Sequence, residues 1–267
     1  MMKALVIAAL AVQSPISPPA VDSGHDSWTG AWAASMQQPG SLESANWSEA
    51  GFRDQSIRQV VRISTGGSRV RIRLSNIYGK SPLRLAGATI ALAGKRAAMR
   101  PGSVRRLRFG QRGGVTIPAG QTTASAPVHL KVKALGKLSV TLHFKDPTGP
   151  ATFHSIAGQT SYRASGDHRM DHIGTSFTET STSRYYLTGV DVSGRHTAKK
   201  AVVTVGDSLV DGAGSTPDAD HRFPEALAER LVAAGRPMSV LNAGLGGNRV
   251  LNDSPMLRRQ GDLPRPA

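Results

Sequence analysis

The chain has 267 residues and a formal net charge of +15, because 33 lysines and arginines stand against 18 aspartates and glutamates. A chain of this length can form one large domain or two ordinary ones with a sizeable core. The absence of cysteine excludes a disulfide framework and a thiolate metal site. The basic residues are scattered and no aromatic residues interleave with them, so we expect no nucleic-acid partner.

Residues 1–27 predict a signal peptide followed by a linker. Lys3 precedes an apolar run, residues 4–12, that is too short to span a bilayer but long enough for the core of a signal peptide. A stretch rich in proline and serine follows this run. We therefore expect a secreted protein without a membrane span. The alternative is that the apolar run forms a buried first strand or helix.

Residues 28–195 predict an antiparallel β-sandwich, similar to a jelly roll, that serves as an accessory domain. Short runs with strand character recur between glycine and proline turn signals, and almost no helical period interrupts them. The inward positions of one such run are Leu138, Val140 and Leu142. We expect strands at residues 83–93, 114–117, 128–132 and 137–144, and a closing strand within residues 183–194.

The clearest strand signal follows a glycine-rich turn at residues 65–68. Residues 69–76 alternate strictly, with valine, isoleucine and leucine on one face and three arginines on the other. Residues 56–64, before the turn, continue the apolar side. The pattern predicts a half-buried β-hairpin whose basic outer face is solvated, with contact to an anionic polymer as the alternative.

Two pairs of residues in this region have more than one interpretation. Trp28 and Trp32 can stack on sugars, but core packing is the commoner use of tryptophan, and we favour it. His168 and His172 have the four-residue spacing that binds zinc on a helix. Because glycines flank this stretch and no helical pattern is present, we expect no metal site there.

A strand, a helix and a second strand are predicted at the start of residues 200–267. Residues 201–205 are apolar and β-branched, which is typical of a strand buried on both faces of a parallel sheet. The helix begins near Pro224 and ends at Gly235. Its predicted apolar face consists of Phe223, Leu227 and Leu231.

The second strand, residues 238–242, completes a right-handed crossover, so both strands end in the same crevice. Ser208 follows the first strand, after Gly206, which permits a sharp turn, and Asp207, which can accept backbone hydrogen bonds. The spacing excludes an α/β-hydrolase elbow, a P-loop and a dinucleotide fingerprint. A serine nucleophile with backbone N–H groups around it predicts acyl transfer, with the N–H of Ser208 and that of a glycine in the loop 244–248 as oxyanion donors.

The motifs GDSLVDG, residues 206–212, and NAGLGGN, residues 242–248, together resemble the first two blocks of the SGNH or GDSL family of serine esterases and lipases. Residues 215–231 resemble the following segment in secreted actinobacterial members, which carry an N-terminal β-domain. The resemblance covers roughly the last quarter of the chain. It implies a flavodoxin-like, three-layer α/β fold without a cofactor, acting as a monomer on a small-molecule or polysaccharide ester.

The resemblance also implies roles for four residues. Ser208 is the nucleophile and gives one oxyanion N–H, Gly247 gives the second oxyanion N–H, Asp207 positions the loop, and Asn248 contacts the substrate.

Two further blocks of the family, an asparagine and an Asp-x-x-His, are missing after Asp253. The pair Asn252–Asp253 and the pattern from Asp218 to His221 match in letters but not in context. We therefore expect a truncated hydrolase domain that is inactive or impaired in this chain. The alternative function is a non-catalytic β-sandwich module that binds carbohydrate or a surface.

Overall fold

The computed structural model describes residues 27–40, 46–236, 238–249 and 251. The predicted signal peptide and the pair Asn252–Asp253 lie outside the described residues. Within the described ranges, no helix is long and apolar enough to cross a membrane.

Antiparallel strands make up residues 29–193, which we call the antiparallel body. In chain order the strands are β1 (Thr29–Ala33), β2 (Gln55–Arg62), β3 (Gly67–Ser75), β4 (Leu83–Leu85), β5 (Gly87–Leu92), β6 (Arg105–Arg106), β7 (Val115–Ile117), β8 (Thr122–Ala124), β9 (Val128–Val132), β10 (Lys137–Phe144), β11 (Phe153–His154), β12 (Ser161–Ser165), β13 (Glu179–Ser181), β14 (Arg184–Tyr185) and β15 (Leu187–Ser193).

Two sheets of the antiparallel body share one apolar core. The first sheet has the order β1-β15-β3-β8, with β9 also paired to β3, and the second has the order β13-β12-β2-β10-β5-β6. Val70 and Ile72 from the first sheet pack in the same cluster as Leu138, Val140 and Leu142 from the second. The prediction of a β-rich body with these inward positions is confirmed.

The predicted β-hairpin of residues 56–76 is wrong. β2 pairs with β10 and β12, whereas β3 pairs with β15, β8 and β9 in the other sheet. The turn carries the chain across the core, and just before it the Ser64 N–H donates to the Ala31 carbonyl at 2.8 Å. Alternation fixed which face of β3 points inward, but the hydrogen bonds lie in the plane of the sheet, and alternation does not specify their partner.

The predicted single strand of residues 83–93 is also wrong. It is two strands, because the chain leaves its pairing with β7 at Ala86 and joins β10 and β6 from Gly87 onward. The Ala86 N–H donates to the carbonyl of His143 at the break. An apolar run of constant character does not reveal such a change of partner.

Each of the three tryptophans lies under an arginine. The guanidinium carbon is 4.5 Å from the ring centre for Arg71 over Trp28, 4.8 Å for Arg184 over Trp32 and 4.4 Å for Arg163 over Trp47. Trp32 is buried as predicted, but Trp28 is only half-buried, so its assignment to the core is wrong. The guanidinium over Trp28 takes the place of core contacts on that face.

The arginine row of β3 is held by a carboxylate on the neighbouring strand. Arg71 and Arg73 contact the carboxylate of the buried Asp191 at 2.7 and 2.8 Å. These side chains are therefore fixed against β15 and do not form a simply solvated face.

A buried cation, Arg58, organises the segment with His168 and His172. Its guanidinium donates to the carbonyls of Ala97 at 2.6 Å and His168 at 3.0 Å. Burial lowers the pKa of Arg58 to about 10, against the opposing charge of Asp171. In the part of the chain that the structure describes, no group of three histidine or acidic residues is placed to hold a metal ion.

Residues 201–248 form the parallel unit, which follows the antiparallel body. It contains β16 (Ala201–Gly206), α1 (Ser208–Asp211), α2 (Phe223–Ala233) and β17 (Ser239–Gly244). The two strands are parallel, in a register that joins Ala201 to Ser239 and Gly206 to Gly244. This is the strand–helix–strand arrangement that the sequence predicts.

Two burial predictions for the parallel unit are wrong. β16 is open on one face, where Val203 is 55% and Val205 71% exposed. The helix α2 buries Pro224 and Ala228, while Phe223 is 58% exposed. Residues 203 and 205 of β16 lie on the opposite face of the strand from the buried Thr204, and both are exposed.

Candidate functional site

Ser208 is the first residue of α1, directly after the tight turn that follows β16. Asp207 caps α1, and its Oδ1 accepts a hydrogen bond from the Leu209 N–H at 2.9 Å. The helix lasts one turn and ends at Gly212, which has a φ of 110° and donates to the Ser208 carbonyl at 2.9 Å. A side chain other than hydrogen is strained at such a φ, so glycine is needed here.

The hydroxyl and the backbone N–H of Ser208 make no hydrogen bond within the described chain. The Ser208 side chain is partly exposed. A ligand can therefore form hydrogen bonds with both the hydroxyl and the backbone N–H of Ser208.

The glycine-rich loop after β17 lies beside this turn. The Leu245 N–H donates to the Gly206 carbonyl at 3.1 Å, and the Asn248 Nδ2 donates to the same carbonyl at 3.4 Å. Gly247 has a φ of 79°, and its N–H has no acceptor among the residues that the structure describes. The fold thus brings the two sequence motifs together at the carboxyl end of the parallel strands, and the Asn248 side chain contacts the serine turn.

A buried contact that the sequence analysis missed joins this turn to the antiparallel body. The Asp211 carboxylate, at the end of α1, is 2.9 Å from the Nε2 atom of His154 on β11. The side chains of Asp211 and His154 are 1% and 4% exposed. The only signal in the sequence is an acidic residue three positions after Ser208, and its partner stands 57 residues earlier in the chain.

The loop between α1 and α2 is fixed to the antiparallel body by two aspartates. The Asp218 carboxylate accepts from the Thr160 N–H at 2.7 Å and from its hydroxyl at 2.6 Å. Asp220 pairs with Lys137 at 2.8 Å, and burial raises the pKa of Asp220 against the opposing effect of Lys137. His221, the last residue of the Asp-x-x-His pattern, is exposed. The aspartates of this pattern therefore hold two parts of the chain together.

Two buried arginines lie where α2 meets the antiparallel body. Arg222 donates to Glu225 at 2.6 Å and to the Asp211 carbonyl at 3.3 Å. Arg184 donates to the Val60 carbonyl at 3.0 Å, while its Nε finds no acceptor within the described ranges. Burial, reinforced by the charge of Arg222, lowers the pKa of Arg184 to about 9.

The arrangement offers a partly exposed hydroxyl and two backbone N–H groups that no described residue accepts, in neighbouring loops. Acyl transfer also needs a base that takes the serine proton. Among the described histidines, none is hydrogen-bonded to the Ser208 hydroxyl, and His154 faces Asp211.

No family model matches the chain, and no curated protein matches it in sequence. Among the solved structures, it is similar to the structure of a family two carbohydrate esterase from Cellvibrio japonicus, with 14% identity and a TM-score of 0.19. The match covers 82% of this chain and 51% of that one, so the chain spans about half the length of the esterase.

Proposed function

We propose that the chain belongs to a serine ester hydrolase of the SGNH type, with Ser208 as its nucleophile. The observation that carries the proposal is the contact between the two motif loops, in which Leu245 donates to the carbonyl of Gly206, two residues before the serine. The free N–H groups of Ser208 and Gly247 support their roles as oxyanion donors. We propose in addition that the parallel unit is part of an α/β domain of the SGNH type.

In the proposed reaction, the Ser208 oxygen attacks the carbonyl carbon of an ester, and its proton passes to water, because no described histidine is hydrogen-bonded to the Ser208 hydroxyl. The alcohol leaves with a proton, and water then releases the acid from the acyl-enzyme. The oxyanion formed at each step lies between the two donors, which would each lower the barrier by about 3 kcal/mol. The proposed substrate is a small-molecule or polysaccharide ester outside the cell.

Acetyl transfer from para-nitrophenyl acetate tests the nucleophile directly. Mass spectrometry of the full chain after short exposure should find an acetyl group on the peptide with residues 206–212. The Ser208→Ala variant should lose this label and, with it, the burst of nitrophenol that accompanies acetylation. Ser215→Ala is the matched control, because Ser215 is in the same segment but outside α1, and it should keep both. An unchanged acetyl label in Ser208→Ala would exclude the proposal.

The alternative, a module for carbohydrate binding formed by residues 28–195 alone, has less support. A guanidinium group already lies over one face of each tryptophan ring, at 4.4 to 5.7 Å, and occupies the surface on which a sugar would stack. Such a module would also leave the buried His154 without Asp211.

A further inference from the structure

The carboxylate of Asp211 joins three separate segments of the chain. Its Oδ1 atom faces the Nε2 atom of His154 at 2.9 Å, and its Oδ2 atom accepts the Gly246 N–H at 3.1 Å. Asp211 itself ends the one-turn helix that begins with Ser208. One buried side chain therefore links the serine turn, the glycine loop and β11.

His154 is fixed so that it can hold this carboxylate. Its Nδ1 lies 2.7 Å from the carbonyl oxygen of Ser35. This contact fixes the plane of the ring and points Nε2 towards Asp211. Nε2 also lies 3.0 Å from the Ile156 carbonyl. The ring is thus clamped by the antiparallel body on both sides.

The backbone of Asp211 is held as closely as its side chain. Its carbonyl accepts from Arg222 and from the Asn242 amide, each at 3.3 Å, and its N–H donates to the Asp207 carbonyl at 2.9 Å. A methyl group on Gly244 would lie 2.3 Å from the Asp211 nitrogen, so only glycine lets α1 approach β17 this closely. The position of α1 is therefore set by its neighbours on all sides.

We propose that Asp211 is a positioning residue of the Ser208 site and that His154 anchors it, so that the antiparallel body completes the site. The inference rests on the proposed function. The Asp211 side chain is nearly inaccessible to solvent, so it acts through the residues that it holds. Asp211 ends the helix that begins at Ser208, and its carboxylate accepts the N–H of Gly246, the residue before Gly247. It therefore sets the separation of the Ser208 and Gly247 N–H groups. Oxyanion donors tolerate displacements of only about 0.5 Å.

The experiment compares His154→Gln, Asp211→Asn and the double variant in the full chain. Asp211→Asn keeps the shape of the side chain but replaces one acceptor oxygen with a donor. The matched control is His143→Gln, because His143 is a buried histidine on β10 whose Nδ1 faces the Gln55 carbonyl and which makes no contact with the Ser208 turn in the described chain.

Hydrogen exchange is measured on three peptides, with residues 206–212, 244–249 and 137–144. We expect exchange about tenfold faster in the first two peptides, no change in the third, and no further increase in the double variant. In the acetyl-transfer assay, kcat should fall about tenfold to a hundredfold while KM stays the same. The control variant should match the wild type in every measurement.

Unchanged exchange in the two loops would overturn the proposal, as would an equal rise in all three peptides, which indicates a merely structural role. A rise in KM with an unchanged kcat would overturn it too. If wild-type Ser208 takes up no acetyl group, the proposed function fails, and the exchange data alone decide whether His154 and Asp211 hold the two loops together.

Discussion

The hydroxyl oxygens of Ser64 and Ser239 lie 3.0 Å apart where β17 meets the antiparallel body. Ser64 also donates to the Ala31 carbonyl at 2.9 Å and accepts the Val240 N–H at 2.9 Å, while Ser239 donates to the Gly30 carbonyl. Two small hydroxyl groups thus satisfy the backbone of β1 and β17 at a buried seam. The parallel unit is attached by hydrogen bonds as well as by apolar contact.

The Ser64→Ala variant should lose about 1 to 3 kcal/mol of unfolding free energy, because the buried Val240 N–H is left without its acceptor. Urea unfolding of the full chain measures the loss. Ser68→Ala is the control, since Ser68 is exposed and the hydrogen bond from its hydroxyl to the Ser193 carbonyl is long at 3.4 Å. Equal stability of the two variants would contradict the seam as described.

The Gly244→Ala variant should separate α1 from β17. The added methyl group would lie 2.3 Å from the Asp211 nitrogen and 2.6 Å from its Cα, and both atoms belong to backbone. We expect a loss of about 2 kcal/mol or more, from overpacking. Gly113→Ala is the control, because a methyl group there meets nothing within 4 Å. Thermal unfolding of both variants compares them, and a Gly244→Ala protein as stable as the control would refute the close approach.

Replacing Val205 by threonine should change stability by less than about 0.5 kcal/mol, because the side chain is 71% exposed on the open face of β16. Val190→Thr places the same hydroxyl group in the shared core and should cost about 1 to 3 kcal/mol. Chemical unfolding distinguishes the two. A large loss for Val205→Thr would show that this face is covered in solution.

Acid stability should depend on Asp167. The hydrogen bond from the Arg169 side chain, at 2.6 Å, lowers the pKa of Asp167 from 3.8 to about 2 against the opposing effect of burial. Because the folded pKa is depressed, the contribution is complete above the unfolded pKa of about 3.8 and is lost as the pH falls through about 2.

The melting temperature of Asp167→Asn should therefore fall less steeply than that of the wild type over this acidic range. The Asp167 side chain is 45% exposed, so solvent screens the pair and added salt should shrink the difference. Parallel curves for the two proteins would contradict the assignment.

The sequence by itself determined several of the longer strands and the apolar side of β3 and β10. The runs at 128–132 and 137–144 coincide with β9 and β10, and the strand–helix–strand pattern after residue 200 gives parallel strands. These features follow from local periodicity, which is written in neighbouring residues. Ser208 was found in the same way, because glycine, aspartate and serine follow a strand directly.

Only the tertiary structure decided which strands pair and which buried polar side chains meet. It separated β2 from β3, divided residues 83–93 between two sheets, and left the outer face of β16 open. It also placed His154 against Asp211, across 57 residues of sequence. Strand pairing and buried polar contacts depend on which distant segments meet as the core closes, and a local pattern carries no information about that choice.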